Sequence, residues 1–367
     1  MNNVRPLCDT DPSEMRGASA RQPSAGLWLH RYAILVALST WCLIFAGGMV
    51  TSTGSGLSVP DWPTTYGQNM FTYPPSKWVG GIFYEHGHRL IASSVGMLTI
   101  GLCVWLWLRE PRRWLAKLGV VALLTVIAQG VLGGLTVKYL LPTPISVGHA
   151  CLAQAFLCLT VSIAVFTSQS WKRARQIVPN PSPSGFVQTP TVALMLVLLI
   201  FGQLMLGAIM RHTDSGLAVL DFPKAYGQWV PALSEDAVGR YNDYRRFELT
   251  IPAVTVQQIA WHMAHRVGAI TVAFAAAFAC GCVIRRHSAL PALRRPAILI
   301  LLLVAVQFAL GAWTVLSGKL AIAATLHVAV GAATLATAWF MTLQSYRHVG
   351  LVRRESMPVA AALGAAS

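Results

Sequence analysis

The sequence predicts an all-α polytopic membrane protein whose eight transmembrane helices form two parallel-repeat four-helix bundles. Three observations carry that prediction. Of 367 residues, 55% are hydrophobic and only 11% charged, which is too apolar for a soluble globular chain of this length. Eight stretches, 29–50, 86–108, 114–137, 146–168, 190–211, 260–284, 296–316 and 321–343, reach the roughly 20 apolar residues that a spanning helix needs. The third observation is an internal repeat. Residues 47–68 and 207–228 align without a gap and agree at 11 of 22 positions, sharing Ser-Gly-Leu, Asp-x-Pro and Tyr-Gly-Gln. That degree of self-similarity marks a duplication.

In chain order, residues 1–28 lack the apolar core of a signal peptide and read as a cytoplasmic N-terminal tail. Residues 29–168 form the N-terminal four-helix half. Residues 169–189 are a cytoplasmic linker whose Pro179–Gly185 run is rich in Pro and Ser. Residues 190–343 form the C-terminal half, and 344–367 a cytoplasmic tail. The register of the repeat continues through both halves: His88-Arg89 aligns with His265-Arg266, Gln129-x-x-Leu-Gly-x-x-Thr-Val with Gln307-x-x-Leu-Gly-x-x-Thr-Val, and His149 with His327. Four is an even number, so both halves enter the membrane in the same direction. The repeat is then parallel, about an axis along the membrane normal, and each half is a bundle of the kind that builds cofactor sites from facing helices.

The net charge of +15 would suggest nucleic acid in a soluble protein. Here the cations cluster in alternate connections: Arg109, Arg112, Arg113 and Lys117; Lys172, Arg173 and Arg175; Arg285, Arg286, Arg294 and Arg295. They form the positive-inside signal, which predicts cytoplasmic termini and no nucleic-acid partner. Asp9, Asp11 and Glu14 favour a bacterial inner membrane over a mitochondrial one, because transit peptides are poor in acids. The seven cysteines lie in the tail or in apolar segments, so no disulfide is expected in the outward loops. Without Cys-x-x-Cys-His there is no covalent haem attachment.

The chemistry gathers at the outer ends of the even-numbered segments. His88, His149, His265 and His327 lie at similar depth, two in each half, and ionisable residues in a membrane helix are costly enough to imply function. Two imidazoles per half can ligate one haem iron axially. Zinc competes less well, because two histidines do not complete a tetrahedral site. Glu85 lies one helical turn before His88, on the same face, as proton acceptor, substrate contact or simple helix-start acid. His262 stands at its position in the second half, so the two sites are expected to differ in task. Arg89 and Arg266 fit haem propionates, with snorkelling to head groups as the alternative. Gln129 and Gln307 are expected to hydrogen-bond between helices, with a contact that supports a histidine as the alternative. His86 is expected to face away from His88, and His30, His287 and His348 to face solvent. His212 has no assigned role.

Eight helices in two fourfold repeats, Gly-Leu-Ser-x-x-Asp-Trp after the first, Glu-x-x-His-Arg opening the second, and one His in each even helix together resemble the haem A synthase family. The resemblance covers residues 29–343. It implies an oxidoreductase that converts the C8 methyl of haem O to a formyl group, yielding haem A for terminal oxidases, with the formyl oxygen drawn from water. It also implies iron ligation of a resident haem b by His265 and His327, reception of the substrate haem O by His88 and His149, Glu85 as the essential acid, and haem O synthase as a partner. The electron donor and any homo-oligomer are not named by it. The chain departs from many bacterial members in lacking a cysteine pair in the first outward loop, so thiol-based electron delivery does not carry over. Two other readings compete. A quinol-linked di-haem b cytochrome would have matched sites, against the Glu85/His262 difference, and a transporter would have its ionisable residues near the membrane midplane.

Overall fold

The computed structural model describes residues 24–172 and 188–364, with side chains described for 26–172 and 188–348. Among these residues the α-helices come in the order α1 (Ser24–Ser52), α2 (Gly81–Arg109), α3 (Arg113–Lys138), α4 (Thr143–Thr167), the single turn α5 (Gln169–Lys172), α6 (Thr189–His212), α7 (Glu235–Phe247), α8 (Val256–Arg286), α9 (Pro291–Leu316) and α10 (Ala321–Gly364), with no strands. Eight of them, all but α5 and α7, are long and apolar enough to cross a membrane. The chain is an integral membrane protein.

Local chemistry sets the helix ends. Prolines begin α4, α6 and α9, where the missing N–H would have no intrahelical partner. α8 starts on a capping box: the Gln258 N–H donates to Thr255 Oγ1 and the Thr255 N–H to Gln258 Oε1, at 3.2 and 3.0 Å. α9 begins before the predicted residue 296 because Pro296 lies in its second turn, where losing one hydrogen bond near the helix start does not break the helix.

The contacts between helices follow chain order within each half. α1 packs on α2, α2 on α3, α3 on α4, and α4 returns to α1; α6, α8, α9 and α10 make the same circuit. Between the halves, α1 meets α10, α4 meets α6, and α4 meets α10. In lipid such seams are held by close packing and interhelical hydrogen bonds. Trp41 donates to the Ala329 carbonyl at 2.8 Å, Trp339 to Ser162 Oγ at 2.7 Å and Thr143 to the His212 carbonyl at 3.0 Å.

Apolar side chains fill the end of each half away from the loops. In the N-terminal half Leu102, Leu106, Leu115, Phe156 and Ile163 close the bundle; in the C-terminal half Leu196, Ile200, Leu293, Ile300 and Met341 do so. The opposite ends carry the histidines. His30 and His287, expected to face solvent, instead join helix ends: His30 Nδ1 lies 3.0 Å from the Ala164 carbonyl and His287 Nε2 2.9 Å from Thr189 Oγ1. Both ring nitrogens of His348 are also buried. These helices run further than the apolar stretches, so their end residues pack against neighbours. The tail and linker expectations for 1–23 and 173–187 lie outside the described residues.

α7 was not anticipated. It lies in the second long loop, capped by Ser234, with Glu235 and Asp236 in its first turn and Arg245 and Arg246 in its last, the charge order that a helix dipole favours. Its Val238 joins Ala218, Val219, Ala225, Val254 and Ile259 in a small core of the loop's own.

At the other end of the bundle, Arg112 Nε and Nη2 donate to the buried Glu110 carboxylate at 2.7 and 3.0 Å, and Nη2 also to the Phe166 carbonyl at 2.9 Å. Burial alone would raise the Glu110 carboxyl, but Arg112 and then Lys172 outweigh it and hold it below the usual glutamate value. A carboxyl depressed in the fold stabilises it above the unfolded value, and that contribution is lost as pH falls through the folded value. Glu110→Gln should therefore cost about 3 kcal/mol at neutral pH. In thermal unfolding of the protein in detergent, its deficit against the parent should close once pH falls below the ordinary glutamate range.

Candidate functional site

His88 and His149 project from α2 and α4, and His265 and His327 from α8 and α10, each within the first three turns of its helix. Each ring faces a glycine on the preceding membrane helix. A β-carbon at Gly47 would lie 3.1 Å from His88 Nε2, at Gly133 3.3 Å from His149 Cε1, at Gly207 3.0 Å from His265 Cε1, and at Gly311 3.3 Å from His327 Cε1. The glycines give the backbone its close approach to the imidazoles. Gln203 and Gln307 sit against glycines in the same way, Gly268 and Gly331, one turn beyond the histidines.

The two pairs of rings are not alike. His265 and His327 have ring centres 6.2 Å apart and planes at 73°. Two imidazoles ligating one metal ion from opposite sides, each nitrogen about 2 Å from it, have centres about 6 Å apart. The carboxamide of Gln203 lies 3.1 Å from His265 Nδ1 and donates to the His265 carbonyl at 2.8 Å, and Gln307 donates to the His327 carbonyl at 2.8 Å. These contacts orient the rings and leave His265 Nε2 without a hydrogen bond, as outer partners of a metal-ligating histidine do. The Nδ1 atoms of His149 and His327 are buried without a partner. Among the described residues, His88 and His149 make no ring contact, and it is Nε2 of His88, not Cε1, that lies nearest its glycine. The donor set and its glycine cradle fit a haem iron between His265 and His327. No cluster of three or more His, Cys, Asp or Glu suited to a metal ion occurs among the described residues.

The loops above the two sites fold alike. In the first, Asp61 accepts from the N–H groups of Tyr66 and Gly67 at 2.7 and 2.8 Å, and from the Thr64 hydroxyl. In the second, Asp221 accepts from Tyr226 and Gly227 at 2.7 and 2.9 Å. Each Tyr-Gly pair is left-handed, with φ of 50° and 72° in one loop and 53° and 76° in the other. The aspartate compensates a conformation that costs tyrosine energy. Burial alone would raise the Asp61 carboxyl, but Thr64 and these N–H donors hold it below the usual value.

The arginine after each histidine pins its loop. Arg89 donates to the carbonyls of Asp61, Thr64 and Val59 at 2.7, 3.0 and 2.8 Å and to Glu85 at 2.7 Å. Arg266 donates to the carbonyls of Lys224 and Asp221 at 2.8 and 2.7 Å. Glu85, 4% exposed, also accepts from the Val59 N–H at 2.8 Å. His262, its counterpart, is 2% exposed, and its Nδ1 lies 3.0 Å from the Ser215 carbonyl. His86 turns away from His88 into a box of Thr65, Tyr73 and Trp78. Gln307 bonds between helices through its amide N–H as expected; the carboxamide oxygens of Gln129 and Gln307 are both buried without a partner among the described residues.

Sequence reasoning missed Gln203 and the four glycines. Gln203 has Leu43 as its repeat counterpart, so the duplication hides it. Gly47 and Gly207, and Gly133 and Gly311, were visible as repeat identities, the second pair at the same spacing from His149 and His327.

Residues 30–339 match the model of the COX15-CtaA family, described as cytochrome oxidase assembly protein. The chain belongs to that family. Among its relatives, Heme A synthase of Shouchella clausii is 31% identical over 219 residues, 58% of this chain and 68% of that protein. Heme A synthase of Halalkalibacterium halodurans is 26% identical over 310 residues, 82% of this chain and 93% of that protein. Heme A synthase of Rhizorhabdus wittichii is 26% identical over 356 residues, 87% and 93% of the two chains. Within the COX15-CtaA frame, the glycine cradle makes a direct prediction. Gly207→Val should weaken binding of iron protoporphyrin about 10-fold by displacing His265. Gly130→Ala, whose added carbon meets nothing within 4 Å, should leave Soret titrations unchanged.

Proposed function

We propose that this member of the COX15-CtaA family is a haem A synthase, oxidising the C8 methyl of haem O to a formyl group. The observation that carries the reading is the duplicated histidine pair. The C-terminal pair, with ring centres 6.2 Å apart, is spaced to suit two ligands of one iron, in a chain whose relatives, aligned over 93% of their length, are named for that activity. A resident haem b is held by His265 and His327, and the substrate haem O is received by His88 and His149. The difference between the pairs supports this division: Gln203 and Gln307 brace the second pair, whereas in the first pair Nε2 of His88 lies against Gly47.

The resident haem supplies one-electron redox chemistry that side chains lack. The rest falls to the chain. Taking a methyl group to a formyl group, with oxygen from water, releases four protons and four electrons, the electrons going to an external oxidant such as dioxygen that the chain itself does not supply. Glu85 is the proton-accepting group, its carboxylate oriented by Val59 and Arg89 before substrate arrives. Arg89 and Arg266 act through the loops they pin, which cover the two sites; Trp62 of the first loop lies against Gly134, beside the glycine that cradles His149. His262 is a latch to its loop and accepts no proton from substrate. Haem O comes from the enzyme that makes it. The basic connections lie at the end away from the histidines, which argues for a bacterial inner membrane with both termini cytoplasmic and the sites near the outer face.

The test is mass analysis of haems extracted from the purified protein, made in a host that supplies haem O. Haem A or its hydroxylated precursor beside haem B in the parent, with the oxidised products lost in Glu85→Ala, is the expected result. Haem B alone, two per chain and unchanged in Glu85→Ala, would overturn the reading in favour of a di-haem cytochrome.

A further inference from the structure

Arg211 ends α6 at the seam between the halves. Its Nη2 donates to the Gly48 carbonyl at 3.0 Å and to Ser52 Oγ at 2.5 Å, both on α1. Ser52 in turn accepts from Thr325 of α10 at 2.9 Å. Among the described residues the rest of the guanidinium is uncommitted: Nε is buried with no hydrogen-bond partner, and Nη1 makes no hydrogen bond. Among the described residues, carboxylate ion pairs form only at Glu85 and Glu110, so no acid neutralises Arg211. Its counterpart in the first half is Thr51, whose hydroxyl donates to the Gly47 carbonyl of its own helix at 3.0 Å. The cation therefore belongs to one half alone.

An unpaired guanidinium inside a membrane segment is costly, and tying α1 to α6 accounts for only one of its three nitrogens. Its surroundings name what the others serve. Arg211 stands one turn beyond Gly207, which cradles His265. Guanidinium is built to grip carboxylates with two parallel N–H donors. Arg89, by contrast, has four of its five donors committed to loop carbonyls and Glu85.

We propose that Arg211 binds a carboxylate of the porphyrin held between His265 and His327, through its unpartnered Nε and Nη1. The inference rests on the haem reading above for the identity of the ligand. It makes Arg211 a fastening that spans the seam: Nη2 fixes α6 to α1 while Nε and Nη1 fix the porphyrin, so binding of the group and docking of the halves reinforce each other.

The experiment is a titration of the full-length protein with iron protoporphyrin IX and with its dimethyl ester, which lacks the carboxylates. A His88→Ala, His149→Ala background confines binding to the C-terminal pair. The parent should bind the ester about 10- to 100-fold more weakly than the acid. Arg211→Gln should bind the acid more weakly by about the same factor, with little further loss for the ester, the coupling that a double-mutant cycle isolates. Ser52→Ala, which removes only the bridge to α1, should keep the parent's preference. Arg211→Lys should keep part of it, and that variant also serves if the glutamine form does not fold. An unchanged ratio of acid to ester affinity in Arg211→Gln, or in Arg211→Lys, would overturn the proposal. A parent that binds neither porphyrin would instead overturn the haem reading beneath it.

Discussion

The structure depends on how each half closes its outer end, and one interaction does most of that: a guanidinium placed one residue after a histidine, donating to the carbonyls of the loop above it. Where a helix leaves the membrane for a long irregular loop, the loop's backbone groups need partners. Arg89 supplies them to Val59, Asp61 and Thr64, and Arg266 to Asp221 and Lys224. Because each arginine adjoins the histidine in the chain, the loop that covers a site is registered to the ring inside it. Asp61 and Asp221 complete the arrangement by holding the left-handed Tyr-Gly turn in each loop.

On this common frame the two halves differ at a few positions, and those differences bear on function. Glu85 and His262 occupy one position; one reaches a loop N–H and an arginine, the other a loop carbonyl. Gln203 beside His265 has an apolar counterpart, Leu43, and Arg211 a hydroxyl counterpart, Thr51. The second half thus has the greater number of polar groups orienting its ring pair. A duplicated bundle carries two unlike sites, which suits the proposed division between a resident and a substrate porphyrin.

Much of this was legible in the sequence because membrane constraints are strong and local. A spanning helix must be apolar over its length, so all eight were visible; an imidazole in such a helix is costly, so the four histidines stood out. The reach of the helices was less legible: His287 and His348 lie beyond the apolar stretches, where hydropathy no longer reports helix and packing on neighbours decides. α7 is polar and gave no hydropathy signal, although Ser234, its acidic start and its basic end were there to read. The partners of Arg89 and Arg211 were hidden for another reason. A guanidinium reaches several backbone carbonyls as readily as a carboxylate, and only the folded loops distinguish the two.

The central claim is that His265 and His327 face each other across one iron. Electron paramagnetic resonance of the purified ferric protein tests it most directly, because axial imidazole planes near 73° apart give a strongly anisotropic low-spin signal. The account predicts that signal in the parent, its persistence in His149→Ala, and its replacement by a high-spin signal in His327→Ala. A low-spin signal unchanged in His327→Ala but lost in His149→Ala would contradict it.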